Sequence, residues 1–304
     1  MLSSNTLFQT FSYFDIFSYP LTLDELSVFL IGKKLIKSSL KKEIKKYSFI
    51  EQKDEYYFLA GREELVPLRK MRDEISNEKK LKAANMVRLL SKIPTIEAIA
   101  LSGSVACGNA RPGDDIDLFF ITRKNSVWIS RFFVYFLLKV TDSIRNDTLT
   151  SDRFCPNMFV DEDMLLIKTQ NLYIASEITH LIPLFERKSA FFEFIAQNDW
   201  ILKFFPNYKN LNTKMDKASR KKYRFISSVL LPFELVFFSA QYLAMKRKIT
   251  NEKISLSRIQ FHPEDLSRKI LGLWEVRMNA NLLDKSSYYN PDKEPLFHEH
   301  TPGS

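Results

Sequence analysis

Residues 101–121 read Leu-Ser-Gly-Ser-Val-Ala-Cys-Gly-Asn-Ala-Arg-Pro-Gly-Asp-Asp-Ile-Asp-Leu-Phe-Phe-Ile, a stretch whose residue types suit metal and phosphate chemistry. Asp115 and Asp117 stand two apart where an apolar run begins. On a strand both carboxylates would project from one face while Ile116 and Leu118 turn into a core. A divalent cation such as Mg2+ takes a few carboxylates together with phosphate oxygens, and this pair could supply them. Gly103 lets a backbone come close to a phosphate. Ser104 adds a hydroxyl where a short helix would open and its free N–H groups would favour an anion. Asp114 is out of phase with the pair and falls in the turn after Pro112-Gly113. The chemistry expected of such a stretch is the handling of a metal-bound nucleotide.

Positioning these groups requires strands on either side. Ile96-Glu-Ala-Ile-Ala-Leu101, which follows Pro94, reads as a short buried strand running into the Gly-Ser turn, and a second strand begins at the aspartates. Asn125-Ser126 can cap a helix carrying Trp128, Ile129, Phe132, Phe133, Tyr135, Phe136, Leu137 and Val140, apolar around much of its circumference and expected against the sheet. Residues 153–161 give a third strand, in which Pro156 implies an edge or a bulge. Asn171 to Leu184 reads as a helix stopped near Pro183, and from about residue 189 the pattern is helical to the end.

Gly103-Ser104, ten intervening residues, then Asp115-Ile-Asp117 and an apolar run resembles the signature of the DNA polymerase β-like nucleotidyltransferase superfamily, over Ile96 to Val160. The resemblance implies transfer of a nucleoside monophosphate from a triphosphate to a hydroxyl or other acceptor. It also implies two Mg2+ ions held by Asp115 and Asp117, which neutralise the triphosphate and hold its leaving group in line. The family's third carboxylate serves as base and as a metal ligand, yet no Asp lies at the centre of strand 153–161. Asp161 at its far end is the carboxylate candidate. Asn157, which can ligate through its carbonyl but accepts no proton at neutral pH, is the candidate at the centre and is assigned to nucleotide binding. Arg111 and Arg153 are candidate phosphate contacts.

Ahead of this region, residues 5–18 have near-helical apolar spacing, Thr22 and Glu25 form a capping box, and a third helix runs Leu40 to Tyr47 with Ser38 or Ser39 as cap. Two short strands follow between Phe49 and Leu59. Three helices and a hairpin resemble the winged-helix family, whose third helix enters the DNA major groove. Here that helix offers Lys41, Lys42, Lys45 and Lys46, which can neutralise phosphates but read no bases. A docking module with a solvated lysine face fits the same residues.

With 304 residues, 45% of them hydrophobic, the chain can build roughly two cores, and its net charge of +9 favours polyanionic partners. Cys107 and Cys155, the only cysteines, have neither disulfide-framework nor zinc spacing, and the N-terminus lacks an export-signal pattern, so a reducing cytoplasm is expected. Residues 225–245 are long enough to span a bilayer, but Pro232, Glu234 and Gln241 interrupt them, which favours a core helix over a membrane-seated one. His298 and His300, in the tail, are metal ligands by type.

The expected fold is α+β, a nucleotidyltransferase-like mixed sheet with covering helices. Its parts are a winged-helix-like domain at 1–61, a helical connector at 62–93, the transferase-like domain at 94–188, a helical region at 189–296 and a loose tail at 297–304. Two functions fit: a metal-dependent nucleotidyltransferase using an NTP, or a nucleic-acid-binding or regulatory protein on a degenerate transferase fold.

Overall fold

Apolar residues at helical spacing close the first helix, α1 (Ser4–Asp15), over Leu7, Phe11 and Phe14. Thr22 and Glu25 then form the reciprocal capping box: Thr22 N donates to Glu25 Oε2 at 2.8 Å and Glu25 N to Thr22 Oγ1 at 3.2 Å. That box opens α2 (Leu23–Val28), followed by α3 (Lys37–Ile44). Strands β1 (Leu21–Thr22), β2 (Ile50–Lys53) and β3 (Tyr56–Leu59) make an antiparallel sheet in the order β1-β3-β2. The computed structural model describes residues 4–146, 148–208, 224–246, 253–260 and 263–283. His298 and His300 lie outside the described residues.

Helix α4 (Leu65–Leu90) carries Pro67 in its first turn, where no intrahelical N–H is lost. It leads to β4 (Ile96–Leu101), the short α5 (Gly103–Cys107), β5 (Ile116–Thr122), α6 (Val127–Val140), β6 (Phe154–Asp161), α7 (Leu172–Thr179), β7 (Ile182–Glu186) and α8 (Ala190–Gln197). Then come α9 (Arg224–Met245), β8 (Lys253–Ile254), β9 (Arg258–Gln260) and α10 (Pro263–Leu283). The protein is thus a mixed α+β fold, with a six-stranded sheet in the order β7-β4-β5-β6-β9-β8. Among the described strands β5 and β6 are the one parallel pair, joined through α6; the other pairs are antiparallel.

Two sequence expectations change here. The helix expected to reach Leu184 ends at Thr179, and Ile182–Glu186 instead forms an edge strand on β4, a sheet position where Pro183 costs no ladder bond on its outer side. The region after 189 is not helical throughout, because β8 and β9 extend the sheet beyond β6. Helix α4 covers one face of the sheet, where Val87 and Leu90 join Ile99, Leu101, Leu118, Phe120 and Trp128 of α6. On the other face Ala98, Ala100, Phe119 and Ile121 pack with α7 and α8, and this core runs on without a break into α1, α2 and α3.

Candidate functional site

Strand β4 ends at Leu101, and the chain turns at Gly103 with φ of +67°, a conformation that side chains other than glycine's rarely take. The turn comes so close to Asp117 that a Cβ on Gly103 would lie 2.5 Å from its Oδ2. Gly103→Ala is therefore expected to push the Asp117 carboxylate out of place and to destabilise the fold by about 1–3 kcal/mol. Thermal melts with and without Mg2+ check this: a variant that melts like the parent in both would show the close approach to be dispensable. Ser104 Oγ donates to Asp114 Oδ2 at 2.7 Å, and the Arg111 backbone N–H reaches the same oxygen at 3.0 Å. Asp114 thus closes the loop between helix α5 and strand β5, the turn role its phase implied.

That loop is held from below by one stripe of α4. Arg69, Arg72, Ser76 and Lys79 are all buried and recur at helical spacing. Arg69 Nη1 donates to Gly108 O at 2.8 Å, Arg72 Nη1 to Asn109 Oδ1 at 3.0 Å, and Ser76 Oγ accepts from Ala110 N at 3.0 Å. Lys79 Nζ donates to Asp114 O at 2.7 Å and to Asp152 Oδ1 at 2.9 Å.

At the mouth of β5 the two expected carboxylates come together. Asp115, Asp117 and Cys155 form a half-buried group whose ligand-type atoms all lie within 4.8 Å of one another. Cys155 is there because β5 and β6 pair in parallel with Asp117 opposite Cys155. Burial pushes the Asp117 carboxyl well above the usual carboxylate range, with the Asp115 charge adding to it. Arg145 Nη1 donates to Asp115 Oδ2 at 2.8 Å and sets one cation against the pair. The two carboxylates are hard oxygen donors of the kind Mg2+ takes. The thiol is a soft donor, and burial pushes its pKa up, which keeps it protonated.

The remaining predicted residues lie elsewhere. Asp161 sits opposite Thr122 at the other end of β6, six residues and roughly 20 Å from Cys155 along the strand. Its Oδ2 accepts from Asn125 N at 2.8 Å and its Oδ1 from Asp163 N at 2.9 Å, so it braces the turns beyond β5 and β6 and is not joined to the aspartate pair. Asn157 falls at the register shift between the Leu118–Pro156 and Phe119–Met158 pairs, the bulge that Pro156 implied, and its side chain bonds to neither aspartate. Arg153 pairs with Asp142 at 3.2 Å.

Sequence reasoning missed Cys155, Arg145 and Glu177. Glu177, on α7, is half-buried and forms no ion pair or hydrogen bond with another described residue. Burial pushes its carboxyl up to about 7, and its charge acts on Asp117, Cys107 and Tyr173. No spacing in the sequence links residue 177 to residues 115–117, and its charge acts on Asp117 only through the tertiary fold. Comparison with protein-family models, with curated proteins and with solved structures gives no match.

Proposed function

We propose that this protein is a divalent-metal-dependent nucleotidyltransferase that moves a nucleoside monophosphate from an NTP to a hydroxyl or other nucleophilic acceptor. The observation that carries the reading is the pair Asp115 and Asp117 on one strand mouth, pressed against the Gly103 turn. Two like charges brought together in a half-buried place strain the apo protein, and a cation relieves that strain. Asp115 and Asp117 would hold Mg2+, whose chemistry here is to neutralise the triphosphate and stabilise the departing pyrophosphate. Arg145 brings a guanidinium to the same place, suited to a phosphate oxygen. The order of α1, β1, α2, α3, β2 and β3 supports a winged-helix reading of the N-terminal unit, with Lys41, Lys42, Lys45 and Lys46 all exposed on or just after α3.

We assign the role left open on β6 to Glu177, whose charge acts on Asp117. A carboxyl poised near neutrality can take the proton of an attacking hydroxyl, which Asn157 cannot do. Glu177→Gln is expected to lower the transfer rate by about 100-fold. It should also flatten the rise of rate with pH around neutrality, while nucleotide binding stays near the parent's. A pH–rate profile checks this, and an unchanged profile would exclude Glu177 as the base.

A second reading, a regulatory nucleic-acid-binding protein on an inactive transferase fold, is favoured by one observation: Cys155 stands opposite Asp117 where a further carboxylate would complete the cluster. Incubation with α-phosphate-labelled NTPs, Mg2+ and candidate acceptors, with a chelator control, separates the two. Absence of both label transfer and Mg2+-dependent nucleotide retention would overturn the transferase reading. DNA binding that is lost when the four lysines are neutralised would then support the second.

A further inference from the structure

We infer that helix α9, with the outer edge of α6, seats this protein on an anionic phospholipid surface. The polarity of α9 is inverted relative to an ordinary surface helix, which turns its apolar stripe to the core. Two of its polar residues, Glu234 and Gln241, face the protein. Glu234 is fully buried and accepts from the first N–H groups of α6, Trp128 N at 2.7 Å and Ile129 N at 3.0 Å. Gln241, seven residues on and so on the same face, donates to Trp128 O at 2.8 Å and accepts from Arg131 Nη1 at 2.7 Å. The large outward residues are apolar: Phe233 is 60% exposed, Val236 66% and Leu243 70%.

This face continues onto α6, where Phe132 packs against Phe237 with ring centroids 4.9 Å apart and Phe136 is 53% exposed. Scattered exposed apolar side chains are ordinary, but a contiguous two-helix face is the mark of an interaction site. Charge selects the occupant. Glu234, which is buried, is the only carboxylate in α6 or α9. In the sequence five basic residues and one acidic residue lie between positions 214 and 222, ahead of α9, and Lys246-Arg247-Lys248 follows it directly.

An apolar strip whose flanking sequence is basic on both sides matches acyl chains below anionic headgroups. Two copies meeting through this face would bring like charges together. At 22 residues α9 is about 33 Å long. No helix among the described residues is long and apolar enough to cross a membrane, so α9 would lie along the surface.

Flotation of the full chain with phosphatidylcholine vesicles, and with vesicles containing phosphatidylglycerol, tests the inference. The protein should float with the anionic vesicles alone and should float less as salt rises. Phe233→Ser, Val236→Ser and Leu243→Ser should each lower vesicle partitioning by about 10-fold without lowering the melting temperature, because the side chains removed are exposed. Flotation untouched by these changes would overturn the inference. So would a protein that stays off both kinds of vesicle, whether monomeric or a dimer that the same substitutions dissociate; the dimer would assign the face to a second copy.

Discussion

Asp117→Ala is expected to abolish Mg2+-dependent label transfer, by 1,000-fold or more, while leaving the protein as stable as before or more so. The two effects share one cause. Asp117 is crowded by Asp115 and by burial, which hold its carboxyl well above the usual range, so removing it relieves repulsion in the apo fold. A carboxylate kept only for structure would behave the other way, its loss costing stability. The clean readout is a pair of melting curves. Mg2+ should raise the parent's melting temperature, because a ligand that binds only the folded state stabilises it, and should leave the variant's unmoved. Asp115→Ala should repeat the loss of transfer and also free Arg145 from its partner. Transfer that survives both substitutions, or an Mg2+ shift that persists in both, would remove the aspartate pair from the chemistry.

The pair was readable because its geometry is local. Strand alternation puts residues 115 and 117 on one face whatever the tertiary fold, and the capping box of Thr22 and Glu25 is likewise a four-residue event. What stands opposite the pair was not readable. The bulge at Asn157 and the parallel register decide that Cys155 meets Asp117, and register is a property of two strands far apart in sequence. Asp161 was a candidate by residue type alone, and strand length carries it to the other end of the sheet. Glu177 had no local signal at all.

The buried stripe of helix α4 was not readable for a different reason. A stripe of Arg69, Arg72, Ser76 and Lys79 looks like a solvated face, and only the loop at 108–114 packed against it reveals buried donors meeting backbone acceptors. In 225–245 the sequence alone presents the polar residues as interruptions of a core helix. Glu234 and Gln241 instead mark the inward face, capping α6, while Phe233, Val236 and Leu243 turn outward.

Arg69→Ala should cost about 3–5 kcal/mol, the usual consequence of removing one member of a buried ionic cluster and leaving its partners behind. The guanidinium is 5% exposed and joins three parts of the chain. Nη2 donates to Glu25 Oε1 and to the Tyr19 hydroxyl, each at 2.7 Å, in the N-terminal unit. Nη1 donates to Asp73 on its own helix and to Gly108 O at the end of α5, which begins at the Gly103 turn. Arg69→Lys keeps the charge but lacks the planar fork that serves separate acceptors, so it should recover only part of the loss.

A drop in melting temperature on the order of 10 °C is the expected reading for the alanine variant at neutral pH. The pH dependence has a definite sign. Burial works to raise the Glu25 carboxyl, but the Arg69 guanidinium and the bonds from Tyr19 and Thr22 outweigh it and hold Glu25 below its ordinary value. A carboxyl depressed in the fold adds stability above its unfolded pKa and loses it as the pH falls through the folded one. The gap between parent and variant should therefore narrow below roughly pH 4. A gap that is absent at neutral pH would show that the cluster does not tie the N-terminal unit to the site loop, and one that stays constant down to acid pH would separate Arg69's effect from the charge of Glu25.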